Sequence, residues 1–203
     1  GAVELARSLR EAGAGLVSTG GTYRALAEAG LVLQQVSDLT GSPEILDGRV
    51  KTLHPNIHGG ILARRDRAEH VAELARHQVE PIDIVVVNLY PFEETVAQPQ
   101  VKLEEALENI DIGGPTLLRA AAKNHPFVVV LVDPADYLWV GDKLVRGGLS
   151  AQERRALAAK AFQHVALYDT IIAGWLRNDQ DTFSQEITLG LRKVADLRYG
   201  ENP

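Results

Sequence analysis

Two short runs of apolar, mostly β-branched residues limit what this chain can fold into more than any other feature. They are IDIVVVNL at residues 82–89 and FVVVLV at residues 127–132. Runs of this kind, without polar alternation, are typical of central strands in a parallel sheet that is covered on both faces. Helical patterns fill the chain around them, at residues 2–12, 23–29, 66–78, 101–108 and 135–146. The alternation of strands and helices therefore predicts an α/β fold with three layers, α/β/α, and a mostly parallel sheet.

A long helical pattern follows Ser150. Ser150 and Glu153 have the spacing of a capping box, and the apolar positions continue to about residue 178. At 1.5 Å per residue such a helix extends roughly 40 Å, so we expect it to bridge to another domain or subunit. The tail at 182–203 alternates, which favours an edge strand or a C-terminal arm. We therefore predict a core domain at 1–148, and a long helix with a linker at 149–203.

The composition excludes several classes of protein. The chain of 203 residues has a formal net charge of −6, which argues against nucleic-acid binding, and it has no cysteine for a disulfide or a thiolate metal site. It contains no apolar run of membrane-spanning length and no signal-peptide pattern. We therefore expect a cytoplasmic protein with no nucleic-acid or membrane partner.

A strand, a glycine-rich turn and a helix follow one another from residue 16 to residue 29. This order can place backbone N–H groups and hydroxyls around a phosphate. It also serves as a tight connection without any ligand, and the turn alone leaves both interpretations open. The residues of the turn are Ser18, Thr19, Gly20, Gly21 and Thr22.

Periodicity disappears between residues 37 and 60. A loop of this length in a compact domain is usually functional or disordered, and the interleaved apolar residues argue against disorder. Four cations lie in or just after it in an acidic chain, which suggests an anionic ligand; they are Arg49, Lys51, Arg64 and Arg65.

Two histidines in the same loop, His54 and His58, have a spacing that could bind a metal on a helix. Pro55 interrupts that helix, and no third ligand is evident. We expect histidines that lie on the surface or form hydrogen bonds, and no metal site.

Polar and aromatic residues end the first central strand, in the sequence NLYPF at 88–92. In open α/β sheets, ligands bind beyond the carboxyl ends of the strands. Tyr90 could be a core residue with a satisfied hydroxyl, but its position before a proline turn favours a place in the site.

The stretch NIDIGGPTLLRAAAKNH at 109–125 is the strongest candidate for a functional site. Its glycine pair would let backbone N–H groups approach an anion, and Pro115 suits the first position of a helix. The helix is apolar on nearly every side, so we expect Arg119 and Lys123 to be buried. Buried cations need a partner or a bound anion. A purely structural pair between Asp111 and one of these cations is the alternative.

Four motifs together resemble one family over nearly the whole chain and in the family's order. They are STGGT at 18–22, DGRVKTLHPNIHGG at 47–60, NLYPF at 88–92 and IDIGGPTLLRAAAKN at 110–124. The family is the inosine monophosphate cyclohydrolase domain of the bifunctional purine-biosynthesis enzyme that is also aminoimidazole-carboxamide-ribonucleotide formyltransferase. The resemblance implies a methylglyoxal-synthase-like three-layer fold. The closing LRYGENP resembles the junction to the formyltransferase domain. We expect that domain to be absent here.

The chain departs from the family at its start. The family normally begins with a strand and a Ser-Val-Ser-Asp-Lys-Thr-Gly-like loop, whose serine and lysine help to hold the substrate phosphate. Gly1 matches the last glycine of that loop. We therefore expect the phosphate site to lack one edge.

The resemblance implies ring closure of 5-formamidoimidazole-4-carboxamide ribonucleotide to inosine monophosphate, with loss of water. By matching motifs, Lys51 and the backbone near Thr52 stabilise the oxyanion. The predicted proton-handling residues are Tyr90, Asp111 and Lys123, the last with its pKa lowered by burial. The predicted substrate- and phosphate-binding residues are Ser18, Thr19, Gly20, Gly21, Thr22, Arg49, Thr52, Asn88, Gly113 and Gly114.

The resemblance also implies no cofactor for ring closure, and 10-formyltetrahydrofolate as the cofactor of the absent formyltransferase domain. It implies a homodimer that binds a small nucleotide substrate. The alternative is a nucleotide- or phosphate-sensing regulatory module, because the same fold serves that role in carbamoyl-phosphate synthetase. A fragment made inactive by the missing first strand is a third interpretation.

Overall fold

The structure, a computed structural model, describes residues 1–177 and 184–196. Four short strands lie in this part of the chain: β1 (Val17–Ser18), β2 (Gln34–Gln35), β3 (Ile84–Val86) and β4 (Val129–Leu131). The helices are α1 (Ala2–Glu11), α2 (Gly20–Glu28), α3 (Val36–Thr40), α4 (Pro55–Leu62), α5 (Ala68–Arg76), α6 (Phe92–Val96), α7 (Leu103–Glu108), α8 (Gly113–Lys123), α9 (Tyr137–Val145) and α10 (Ala151–Leu176).

The strands form two parallel pairs. Val17 is in register with Gln34 in the first pair, and Val85 is in register with Val130 in the second. This pairing, with helices between the strands, confirms the predicted α/β class. β4 is buried along its whole length, as predicted, but Val86 at the end of β3 is 38% exposed. The expectation that both central strands are covered on both faces is therefore wrong for β3.

Helix α8 packs against β3 and β4. Its inward side chains Leu118 and Ala121 have no exposed surface, and neither does Val128 just before β4. Burying a leucine side chain in this way contributes about 2 kcal/mol. The first turn of α8 is therefore held in place by apolar packing further along the same helix.

The described chain forms two compact units. The core unit comprises Gly1–Tyr90 and Asp111–Gln163, and the second unit comprises Pro91–Ile110 and the described residues from His164 onward. In the second unit, Phe92 makes edge-on ring contacts with Tyr168 and Trp175. The long helix α10 contributes residues to both units. The predicted domains at 1–148 and 149–203 do not coincide with these units and remain a prediction.

Several predicted elements need correction. The region at 37–60, predicted as a loop, contains most of α3 and of α4, and Pro55 begins α4 at its first position instead of breaking a helix. There its missing N–H costs nothing. Helix α6 was not predicted. Helix α8 begins at Gly113, so Pro115 is its third residue and not its first.

The predicted C-terminal helix and tail are confirmed only in part. Ser150 and Glu153 form the capping box at the start of α10, with the Glu153 carboxylate accepting from the Ser150 N–H at 2.8 Å. Residues 184–196 contain no strand. The segments 178–183 and 197–203, which include the LRYGENP motif, lie outside the described residues. Within residues 1–177 and 184–196, no helix is long and apolar enough to cross a membrane.

Candidate active site

The glycine-rich turn joins β1 to α2, as predicted. Thr19 precedes the helix in an extended conformation, and Gly20 has a φ of +59°, a left-handed value that favours glycine. A Cβ at Gly20 or Gly21 would have no neighbouring atom within 4 Å. The backbone of the turn is therefore open to a ligand.

A carboxylate lies against this turn. The Thr19 hydroxyl donates a short hydrogen bond to Glu44, from the segment that precedes the Lys51 loop. The side chains of Glu44 and Lys51 both lie beside Gly48: a Cβ there would be 3.4 Å from Glu44 Oε2 and 4.0 Å from Lys51 Nζ. The structure therefore brings the predicted phosphate turn next to the predicted catalytic lysine.

The loop that carries Lys51 has an unusual backbone. Ile45 and Val50 form an antiparallel bridge that closes the loop. Leu46 and Asp47, between them, have φ values of +54°. Residues other than glycine occupy this region at an energetic cost, and such strain is concentrated at functional sites.

The next contact joins the Lys51 loop to the start of α8. A Cβ at Gly113 would lie 2.8 Å from Thr52 Oγ1. A Cβ at Gly114 would lie 2.5 Å from Asp111 Oδ2 and 2.7 Å from Leu89 Cδ2. Separations this short leave no room for a larger side chain. The glycine pair is therefore required for the close approach of three segments of the chain.

Asp111 caps α8. Its Oδ1 accepts a hydrogen bond from the Gly114 N–H at 2.8 Å, which satisfies one of the N–H groups left open at a helix start. Asp111 is partly buried. Asp111 therefore has a structural role as a helix cap, whereas the alternative of a pair between Asp111 and a cation of α8 stays a prediction.

Asn88 and Tyr90, the two predicted site residues after β3, lie in different environments. The Asn88 side chain donates to the Val132 oxygen at 3.1 Å and accepts from the Tyr137 hydroxyl at 2.7 Å. Burial raises the pKa of Tyr137. Both polar ends of the Asn88 amide are therefore used within the fold. Tyr90 is 46% exposed, which excludes the alternative of a core residue.

The predicted burial of the cations on α8 is wrong. Arg119 and Lys123 are exposed, because the apolar side of α8 that faces β3 and β4 is narrower than its composition suggested. The Arg119 guanidinium lies 5.6 Å from the centre of the Phe162 ring. Lys123 lies ten residues after Gly113, about 15 Å along the helix axis. The contacts that connect the other predicted motifs do not include Lys123.

Arg64 and Arg65, which follow the 37–60 loop, both have structural partners. Arg64 pairs with Asp66, and Arg65 pairs with Asp83 and the Ile82 oxygen. The expectation that all four serve an anionic ligand is therefore wrong for Arg64 and Arg65. Arg49 is exposed.

The two histidines of this loop have different environments. His54 caps α4, accepting from the Asn56 N–H through Nδ1 at 3.1 Å. His58 has a buried Nε2 without a hydrogen-bond partner in the described structure, and burial lowers its pKa.

Sequence reasoning missed Asn124. This side chain is only 7% exposed, and its amide donates to the backbone oxygens of Ile61 and Ala63 at 2.7 and 3.0 Å. It ties the end of α8 to the end of α4. Its position directly after Lys123 gave no local signal of this long-range role.

Comparison with known proteins identifies the family of the chain. A profile of the MGS-like domain matches residues 1–116, and a profile of the AICARFT/IMPCHase bienzyme matches residues 121–203. The chain therefore belongs to the MGS-like domain family, here continued by the AICARFT/IMPCHase sequence. This confirms the predicted family and its methylglyoxal-synthase-like fold.

The similar full-length proteins are bifunctional. The chain is 56% identical to the bifunctional purine biosynthesis protein PurH of Halalkalibacterium halodurans and 58% identical to that of Chloroflexus aurantiacus. All of the chain aligns, and it covers 40% and 39% of these two proteins. The chain thus spans about two fifths of the length of these relatives. Among solved structures, ForH is similar, with 40% identity and a TM-score of 0.76 over 84% of this chain and 88% of ForH.

Proposed function

We propose that this chain is an inosine monophosphate cyclohydrolase. It would close the six-membered purine ring of 5-formamidoimidazole-4-carboxamide ribonucleotide, a step of purine biosynthesis. One observation carries this assignment beyond family membership. Three of the motifs that the resemblance links to this reaction lie close together: Thr19 is hydrogen-bonded to Glu44, and the side chains of Glu44 and Lys51 both lie beside Gly48. The next residue, Thr52, lies against Gly113.

The reaction needs positioning and proton transfer. The carboxamide nitrogen attacks the formyl carbon, a C–N bond forms, and the formyl oxygen becomes an oxyanion. The oxygen then leaves as water, with one proton from each of the two nitrogens. Because both groups belong to one molecule, holding them in contact supplies part of the rate enhancement.

Lys51 is the residue we assign to the oxyanion, with the backbone near Thr52. A positive charge aimed at the developing negative charge stabilises the transition state more than the ground state. The backbone beside Lys51 supports this assignment. The Ile45–Val50 bridge closes the loop directly before Lys51, and the strain at Leu46 and Asp47 within that loop is of the kind found at functional sites.

Proton transfer is assigned to Tyr90 and Asp111. Asp111 uses Oδ1 to cap α8, which fixes the orientation of its carboxylate. Tyr90 is exposed and available to a substrate. The family resemblance also predicts that Lys123 takes part in proton transfer. Because Lys123 lies far along α8 from Asp111, mutagenesis has to test its role separately.

The substrate phosphate is assigned to the turn at Ser18–Thr22, with charge from Arg49. The open backbone at Gly20 and Gly21 suits an anion. The Glu44 carboxylate, now bonded to Thr19, would have to move aside for a phosphate. Gly113 and Gly114 would contact the substrate through their backbone, and Asn88 would support the site from within the fold.

The remaining assignments rest on the family resemblance. We propose that ring closure uses no cofactor, and that the longer protein also transfers a formyl group from 10-formyltetrahydrofolate through a separate domain. We also propose that the protein works as a homodimer in the cytoplasm.

A spectrophotometric ring-closure assay tests the function directly. The chain should convert the formamido nucleotide to inosine monophosphate, and Lys51→Ala should not, while Arg7→Ala on the exposed side of α1 should match the wild type. Binding of inosine monophosphate without any turnover would instead support the regulatory module. Absence of both binding and turnover would contradict both functions for this chain.

A further inference from the structure

A buried tyrosine joins the start of α9 to the ends of the paired strands β3 and β4. Tyr137, the first residue of α9, is only 4% exposed, and its hydroxyl donates to Asn88 Oδ1 at 2.7 Å. The Asn88 amide nitrogen in turn donates to the Val132 oxygen at 3.1 Å. Asn88 lies two residues after β3, and Val132 comes directly after β4. These bonds therefore lie at the carboxyl edge of the sheet, where α/β proteins bind their ligands.

The two hydrogen bonds fix the orientation of the Asn88 amide. A backbone carbonyl can only accept, so the amide nitrogen must face Val132 and the amide oxygen must face Tyr137. The amide oxygen needs a donor, which is the Tyr137 hydroxyl. Burial raises the pKa of Tyr137, so this hydroxyl stays protonated and able to donate at neutral pH. Asn88 is therefore held at both ends of its amide in one orientation.

The turn directly before Tyr137 is fixed by contacts of its own. Lys160 of α10 donates to Asp133 at 2.6 Å and to Asp136 at 2.7 Å. Asp133 also accepts from the backbone N–H of Ala135 at 2.9 Å. These contacts join residues on both sides of the turn to a long helix, so they restrict the backbone from which the tyrosine ring extends.

The residues after Asn88 lead into the proposed active site. Leu89, the next residue, lies at the start of α8, because a Cβ at Gly114 would be 2.7 Å from Leu89 Cδ2 and 2.5 Å from Asp111 Oδ2. Tyr90 follows and is exposed. Asp111 and Tyr90 are the residues to which proton transfer is assigned above. A shift of Asn88 would therefore move Leu89 and Tyr90 relative to the Asp111 carboxylate.

We propose that Tyr137 is a positioning residue for ring closure, which acts through Asn88 to hold the end of β3 in place beside Asp111. Tyr137 is buried, so it acts from within the fold and not by contact with the substrate. Small displacements of reacting groups lower the rate of an enzyme strongly, even when the residue responsible lies outside the site. This inference rests on the proposed function and names a residue that none of the motifs includes.

The variant Tyr137→Phe tests the proposal in the ring-closure assay. Phenylalanine fills the same buried space, so only the hydrogen bond is lost and the variant should fold. We expect kcat to fall about tenfold, while the affinity for inosine monophosphate in calorimetry stays within about twofold of the wild type. A residue with only a structural role would lower stability without this separate loss of kcat.

Tyr168→Phe is the matched control. Tyr168 lies in the second unit and is 8% exposed, and its hydroxyl donates to the Asn109 oxygen at 3.0 Å. Its loss should lower the stability in urea about as much as Tyr137→Phe does, but kcat should stay within about twofold of the wild type. An unchanged kcat in Tyr137→Phe, or an equal loss in Tyr168→Phe, would overturn the proposal.

A double-mutant cycle tests the route through Asn88. In the Asn88→Ala background, Tyr137→Phe should change kcat by less than about twofold, because the group through which Tyr137 acts is already gone. A further loss of about tenfold would show independent action and would overturn this route. A wild type without turnover would refute the proposed function and this inference with it, whereas an active wild type with a fully active Tyr137→Phe would refute the inference alone.

Discussion

Asp111 accepts a hydrogen bond from the backbone N–H of Gly114 at 2.8 Å, and this bond fixes both the start of α8 and the orientation of the carboxylate. The contact is possible because Gly114 has no side chain. A Cβ there would lie 2.5 Å from Asp111 Oδ2 and 2.7 Å from Leu89 Cδ2. The start of α8, the position of Leu89 after β3 and the orientation of the Asp111 carboxylate therefore all depend on Gly114.

Replacing Gly114 by alanine should destabilise the protein by about 2 kcal/mol, because Asp111 and Leu89 must move to make room in a tightly packed place. Urea unfolding measures the loss. The control is Gly174→Ala in α10, where a Cβ would meet no atom within 4 Å. That change should be neutral or slightly stabilising, since alanine favours a helix. Equal stabilities of Gly114→Ala and the wild type would contradict the close packing.

Asn124 is the second position at which a single side chain joins two elements. Asn124→Ala removes two hydrogen bonds and leaves the backbone oxygens of Ile61 and Ala63 without those donors. We expect a loss of about 2 kcal/mol in the free energy of unfolding. Asn109→Ala, which removes one exposed bond to the Glu105 oxygen, should cost clearly less. If the two variants lose the same stability, the link between α8 and α4 contributes little.

Local patterns predicted much of the fold. The β-branched runs predicted β3 and β4, and the Ser150–Glu153 spacing predicted the start of α10. These predictions succeeded because each element depends mainly on residues that are neighbours in the sequence. Helix α4 was missed because Pro55 was interpreted as a helix breaker, although proline also suits the first helical position.

The candidate site was predicted only in part, for a physical reason. Glycine-rich motifs and the Lys51 loop could be found because their residue types are unusual. The exposure of Lys123 and the burial of Asn124 could not, since they depend on which side of α8 packs against residues about 60 positions away. Asn88 was predicted to bind substrate from the family resemblance, and this stays a prediction. Its bonds to the Val132 oxygen and the Tyr137 hydroxyl depend on residues more than 40 positions away, which local patterns do not indicate.

Glu153 makes stability depend on acid pH. Its hydrogen bond with the backbone of Ser150, and then those with the side chains of Lys143 and Ser150, lower the pKa of Glu153 from 4.5 to about 2. A carboxyl whose pKa is lower in the folded state stabilises the fold above pH 4.5. That contribution is lost as the pH falls from about 4.5 to about 2.

Glu153→Gln should therefore be less stable than the wild type at pH 7, and the difference should shrink as the pH falls through this window. Urea unfolding of both proteins at pH 7 and near pH 3 gives the two differences. Glu73→Gln, an exposed position in α5, should show only a small difference at either pH. If the difference in free energy of unfolding between Glu153→Gln and the wild type is the same at both pH values, the Glu153 carboxyl does not titrate in this window.

Lys51 and Lys123 are predicted to serve one reaction. Thr52, the residue after Lys51, lies against Gly113, whereas Lys123 lies about 15 Å further along α8. Lys51→Ala should lower kcat for ring closure by at least about 100-fold with little change in nucleotide affinity, as expected when a group acts on charge that develops in the transition state.

From the family resemblance, Lys123→Ala should also abolish turnover while nucleotide binding stays measurable. Binding of inosine monophosphate to both variants by calorimetry separates a catalytic loss from a binding loss. Full turnover by Lys123→Ala would confine the chemistry to the residues around the N-terminal end of α8. Full turnover by Lys51→Ala would remove the oxyanion assignment itself.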